Sequence, residues 1–325
     1  MFRRDDNAAG RRSGGASRRR DLLRAFGGRG HDVHMPDAWT SPVVWASPHS
    51  GGVYPDILLR ASPLTRRELR RNEDAFVDRL VACAPEYGAP VVSARFPRCF
   101  VDVNRAPDDL PPEWREAGAD ALEAGGGVSP AASTAAYRAR MGLGVVPLVI
   151  SENLSIYSHP PSRAAVEARL DALYRPYHEA LRSLLHRARD AWGEALLVDC
   201  HSMPGFAAEV RGGRGRPNRR ADIVLGDAHG RAAGGGVTDL LHRAWERRGY
   251  HVVRNHPYAG GHATLHYGRP DEGVHAVQVE INRDLYLHPV TLVPKPGFER
   301  LKADMRGIVE EVTAAMRPGV AIAAE

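Results

Sequence analysis

The chain has 325 residues, 43% hydrophobic and 26% charged, the composition of an ordinary globular protein. Its net charge of +5 belongs to one end: residues 1–30 hold nine Arg against three Asp, a local balance of +6 that leaves −1 for the rest. A nucleic-acid-binding surface on the folded part is therefore not implied, three scattered cysteines exclude a disulfide framework, and no apolar run approaches the ~18 residues of a transmembrane helix.

Residues 1–36 read as a disordered Arg-rich extension; Arg18–Arg20 lack the apolar stretch that an export signal needs. Residues 37–318 read as one folded domain and 319–325 as a tail, in a cytoplasmic protein without nucleic-acid or membrane partners. Short Val- and Ile-rich runs then alternate with helical periodicity, the pattern of an α/β fold with a mixed, mostly parallel sheet and helices on both faces. In chain order the expected strands are 42–46, 89–93, 100–103, 147–150, 195–198 and 274–279. Expected helices are 65–87, 162–190, 237–248 and 297–316, the second with Val166, Leu170, Leu173, Tyr177, Leu181, Leu184 and Leu185 on one face. Two Gly-rich stretches, 115–130 and 211–220, read as loops, either solvated connections or segments that close over a site.

No G-x-S-x-G elbow, P-loop, G-x-G-x-x-G fingerprint or H-E-x-x-H helix occurs, which argues against a serine hydrolase, a P-loop NTPase and a Rossmann dehydrogenase. Histidine stands out instead: fifteen, eight of them after residue 225. In open parallel sheets ligands bind at the carboxyl ends of strands, and His49, Asn104-Arg105, Asp199 with His201, and Glu280 each follow an expected strand. A strand-end histidine can be purely structural. Two of them with one carboxylate also make a three-ligand metal site with an open position, and Asp199 is available as a hydrogen-bond partner for His201. Glu280, beside an apolar strand, is either an edge carboxylate in an ion pair or a general base. His262 and His266 lie four apart, a second metal pair if helical; the flanking glycines favour a loop, and substrate contact for His262.

These segments resemble the N-formylglutamate amidohydrolase family over residues 40–290. Ser47-Pro48-His49-Ser50-Gly51 is similar to its first metal motif, Arg98 to Asp109 to its Arg-Phe-Val-x-Asp-Leu-Asn-Arg run, and Leu197 to Met203 to its Leu-x-Asp-x-His-Ser motif. Pro176-Tyr177-His178, Asp222 to Gly226, Gly260 to Gly268 and His275 to Glu280 follow in the family's order. The resemblance implies a fold like that of the zinc carboxypeptidases and aspartoacylase, and one zinc ion, or another divalent metal, held by His49, His201 and an acidic residue. Asp74 is the choice for the third ligand, a helix N-cap being its alternative role. It further implies Glu280 as general base, Arg98 on the oxyanion, Arg105 with Asn104 on a substrate carboxylate, and His262 on a second one. The implied reaction is hydrolysis of an N-acyl amino acid, N-formyl-L-glutamate first, to formate and glutamate, a step of histidine breakdown. The alternative is a zinc carboxypeptidase or cell-wall amidase acting on a short peptide. Arg283 and Asp284 stand where the deformylases carry Gln and Ser, and oligomeric state is left open.

Overall fold

The structure, a computed structural model, describes residues 17–111, 114, 137–151, 154–210 and 219–317. They condense into two compact units: the first from the described residues of segments 1–31, 51–73 and 95–178, the second from those of 32–50, 74–94 and 179–325. The segment 37–318 contributes to both.

The second unit carries a seven-stranded sheet of β1 (His31–His34), β2 (Val43–Ser47), β3 (Val91–Ala94), β4 (Ala195–Met203), β5 (Ile223–Gly226), β6 (Val252–Arg254) and β7 (Val274–Asn282), in the order β1-β3-β2-β4-β7-β5-β6. The pairs β3–β2, β2–β4, β4–β7 and β5–β6 are parallel, and β7–β5 is antiparallel. The mixed, mostly parallel α/β sheet is thus as expected. The central strands β4 and β7 are nine residues each and almost wholly buried, as strands covered on both faces must be. The helices that matter are α1 (17–25), α2 (Val77–Val81), α3 (Arg175–Trp192), α4 (Gly235–Glu246), α5 (His262–Tyr267) and α6 (Gly297–Ala315).

Side chains alternate across a strand, so each strand divides its residues between two environments. Trp45, Leu196, Val198, Cys200, Leu225, Val277, Val279 and Ile281 form one core with Val77 and Leu80 of α2, Leu241 and Trp245 of α4, and Met305, Ile308 and Val309 of α6. The intervening residues, Asp199, His201, Gln278 and Glu280, occupy the other face, where α5 packs on β7 and β4. Four buried polar residues on the neighbouring central strands are costly unless paired, and that marks this face as the working one.

Several expectations are corrected. The helix expected over 65–87 is broken: Arg66–Leu69, the 3-10 turn Arg70–Asn72, then α2 and the 3-10 turn Ala84–Tyr87. The break comes where Phe76 takes φ 66°, a left-handed conformation costing roughly 1–2 kcal/mol that its ring offsets by packing on Phe298. Phe100–Val103 is a turn with an extended continuation, because Phe100 N–H bonds back to Pro97 O and Asp102 N–H to Val145 O. His201 and Glu280 lie inside β4 and β7, which run several residues past their expected ends. The 147–150 run forms a small hairpin, Val149–Ser151 with Leu154–Ser155. The long helix expected at 162–190 comprises Arg163–Arg169, a π turn at Leu170–Tyr174, and α3, with all seven expected apolar residues buried. The whole of loop 115–130 and positions 211–218, like the tail 319–325, lie outside the described residues.

The largest correction concerns the amino-terminal segment. From residue 17 it is not a disordered extension: 17–25 is helical, β1 joins the sheet beside β3, and Phe26 is 1% exposed, with its ring 6.2 Å from both Phe96 and Phe100. Arg-rich composition hid this because one buried aromatic and four strand residues suffice to dock a short segment. Phe26→Ala should therefore destabilise the protein by about 3 kcal/mol, read as a lowered urea midpoint; an unchanged midpoint would return the segment to solvent.

Candidate functional site

His49, Asp74 and His201 come from three separated segments of the second unit and meet as a buried group able to hold a metal ion, with donor atoms all within 4.8 Å of one another. His49 leaves the end of β2, where Ser50 straps the loop down: its hydroxyl donates to Asp74 O and accepts from Asp78 N–H. Asp74 N–H in turn donates to His49 O at 3.0 Å. The helix break at 73–76 is what lets Asp74 turn inward. It caps nothing with its side chain: α2 starts after Phe76 without a side-chain cap. Asp74 Oδ2 lies 3.4 Å from His49 Nδ1 and 3.1 Å from His201 Nδ1, and the two imidazoles are 4.7 Å apart at their centroids.

The opposite nitrogen of His201, Nε2, faces Asp199 Oδ2 at 2.9 Å. Asp199 and His201 are two apart on one strand and so share a face, which is why Asp199 could be suspected from the strand alone. A carboxylate behind a histidine fixes its tautomer and leaves the other nitrogen to a metal. Burial pushes the His201 pKa down, but the Asp199 charge and hydrogen bond, with Asp74 and Glu280 adding to them, raise it well above the ordinary value. Burial pushes Asp74 up, yet hydrogen bonds from His201 and His49 and the charge of Arg283 hold it well below the carboxylate range.

Glu280 stands directly across from His201 in the β4–β7 register, as Gln278 stands across from Asp199. Gln278 Nε2 donates to Glu280 Oε1 at 2.8 Å, and its Oε1 accepts Gly261 N–H at 2.7 Å. That ties the start of α5 to the carboxylate. The close approach needs glycine: a Cβ on Gly226 would sit 2.6 Å from Gly260 N. His262 opens α5 and stacks on His266, rings 5.0 Å apart. The expected loop is thus a short helix, because Gly261 N–H is anchored and Leu265 N–H closes onto Gly261 O.

Arg98, Asn104 and Arg105 belong to the first unit, where Asp102 gathers them. Arg98 donates to Asp102 Oδ2 through Nε and Nη2, at 3.2 and 2.9 Å, and Asn104 N–H donates to Asp102 Oδ1 at 2.9 Å. Arg105 lies 3.9 Å from Oδ2 and donates to Leu143 O; burial lowers its pKa. Tyr174 donates to Arg105 O, and His178 Nε2 meets Val103 O, so the helix that carries Pro176-Tyr177-His178 pins this run. Sequence reasoning singled out neither Gln278 nor Asp102. Both sit inside words already recognised, Gln278 two residues before Glu280 and hence on its face.

A mostly parallel sheet with a buried His-Asp-His group beside its central strands, in a chain matched to amide hydrolases, defines an α/β amidohydrolase. The profile of the N-formylglutamate amidohydrolase family matches residues 41–287. The chain is 32% identical over 247 residues to the N-formylglutamate deformylase of Pseudomonas putida, covering 76% of this chain and 82% of that protein. It is 28% identical over 254 residues to the enzyme of that name from Pseudomonas aeruginosa, with the same coverage of both. The crystal structure of N-formylglutamate amidohydrolase from Ralstonia eutropha JMP134 superimposes with a TM-score of 0.77 at 31% identity, over 88% of this chain and 98% of that one. The chain belongs to the N-formylglutamate amidohydrolase family.

Were His201 a metal ligand, a proton and the metal ion would compete for its Nδ1. In the metal-free protein the protonated imidazole between two carboxylates is a favourable arrangement, complete below the ordinary histidine value and lost as pH rises through the raised one. Divalent-metal affinity should accordingly fall about tenfold for each pH unit below that raised value, measured by equilibrium dialysis across the acidic to neutral range; affinity independent of pH would remove His201 from the ligand set.

Proposed function

We propose that the protein is a cytoplasmic, zinc-dependent amidohydrolase that converts N-formyl-L-glutamate and water to formate and L-glutamate, a step of histidine breakdown. The observation that carries this reading is the buried meeting of His49, Asp74 and His201 in a chain of this family. Tetrahedral zinc with bonds near 2.05 Å separates its ligand atoms by about 3.3 Å; the Asp74–His49 and Asp74–His201 spacings of 3.4 and 3.1 Å are close to that. Cys83, Cys99 and Cys200 as free thiols agree with a reducing compartment, and among the described residues no helix is long and apolar enough to cross a membrane.

When bound, zinc would acidify a water and polarise the acyl carbonyl. Glu280 takes the proton as the carbon–oxygen bond forms and delivers it to the amine nitrogen as the amide bond breaks. Gln278 holds one oxygen of that carboxylate, so its direction is set before substrate arrives. Arg98 stabilises the negative oxygen of the tetrahedral carbon. Asn104 and Arg105 hold one substrate carboxylate, a task for which a planar guanidinium fork is suited, and His262 receives the second. Support for Arg98, Asn104 and Arg105 is the 98–109 run together with their common anchor, Asp102. The partner is thus a small N-acyl amino acid bearing carboxylates, with neither nucleic acid nor membrane required.

Purified protein should release formate from N-formyl-L-glutamate, lose that activity on chelation and regain it with zinc. Activity unmoved by chelation would end the metal reading; cleavage confined to short peptides or muropeptides would favour the carboxypeptidase or amidase alternative. Glu280→Gln should lower kcat by at least about tenfold, 1.4 kcal/mol of barrier, with zinc content unchanged. A smaller loss would move the general base elsewhere.

A further inference from the structure

The two oxygens of Asp74 face different partners. Oδ2 is turned to Nδ1 of His49 and of His201, at 3.4 and 3.1 Å. Oδ1 is taken by Arg283 Nη2 at 2.7 Å and by the Ser202 hydroxyl at 3.3 Å. Arg283, itself buried, stands just past β7 and is fixed by the residue that follows His201 on β4: its Nε donates to Ser202 Oγ at 2.9 Å and its Nη2 to Ser202 O at 3.3 Å. The guanidinium thus bridges the ends of the two central strands and grips the carboxylate by the edge facing away from the histidines.

A carboxylate can bind a metal through one oxygen or both, and a second oxygen fills a position that a hydrolytic site needs open. We propose that Arg283 is a positioning residue for the metal centre: by occupying Oδ1 it makes Asp74 a one-oxygen ligand, and its charge offsets that of the carboxylate. Lysine would keep the charge but not the planar fork that reaches Ser202 and Asp74 together. The inference rests on the reading of His49, Asp74 and His201 as ligands and deepens it, since it assigns Arg283 a task in presenting the third of them.

The test uses cobalt(II), whose visible d–d absorption weakens as coordination number rises. Wild type, Arg283→Met, Arg283→Lys, Ser202→Ala and His201→Ala are loaded with cobalt and compared by equilibrium dialysis and visible spectrum, with far-UV circular dichroism checking the fold. Arg283→Met should bind cobalt with a clearly weakened band, and Arg283→Lys should fall between it and wild type. A folded Arg283→Met with the wild-type spectrum would overturn the proposal. If Arg283→Met does not fold, Ser202→Ala decides: a smaller change in the same direction supports the proposal, and the wild-type spectrum overturns it. Equal cobalt binding by wild type and His201→Ala would instead sink the metal reading itself, an outcome separate from the spectra of the Arg283 variants.

Discussion

A carboxylate that is 1% exposed must find a partner for each oxygen, and Asp74 governs the architecture around it. Taking an isolated carboxylate out of water costs far more than a domain's margin of stability. Two imidazoles meet one oxygen, and an arginine and a serine meet the other. Each of those partners must itself be held: His201 by Asp199, Arg283 by Ser202, and the His49 loop by Ser50 and by the backbone of Asp74. The helix break at 73–76 and the left-handed Phe76 follow from the same requirement, since a continuous helix over 65–87 would carry Asp74 on its surface.

The β4–β7 pair provides the second organising element. Parallel pairing in register puts Glu280 beside His201 and Gln278 beside Asp199, so four polar residues line one face while their neighbours at alternate positions fill the apolar core on the other. The group proposed to take up a proton and one of the groups proposed to hold a metal are therefore fixed with respect to each other by backbone hydrogen bonds, not by loop conformation.

Much of this was legible in the sequence. The α/β class followed from alternating apolar runs and helical periods, and the words around His49, His201 and Glu280 contained the polar residues that the sheet brings together. Asp74 could be chosen but not placed, because its setting depends on a break within the helical period of 65–81, where the chain is tied to His49 and Ser50 by tertiary contacts that propensity does not register. Strand ends were read too early for the opposite reason, since the polar residues taken as stop signals in 199–202 and 280–282 are buried strand positions paired across the sheet. The docked segment from residue 17 to β1 was masked by arginine. Arg283 entered only as a departure from a pattern, and its partners, 81 and 209 residues away in the chain, cannot be inferred from local spacing.

That last separation bears on how the protein reaches its working state. Contacts between residues so distant in sequence are among the slowest to form, because the intervening chain must be ordered before they contribute. Residues 49, 74, 201 and 283 span most of the described chain, and no contiguous fragment shorter than that span contains them all. A nascent chain still lacking Arg283 lacks the clamp on Oδ1 of Asp74, so the complete centre arises only once synthesis has passed residue 283. Metal bound by the finished fold and not by the unfolded chain would then act as a thermodynamic latch on the last step of folding.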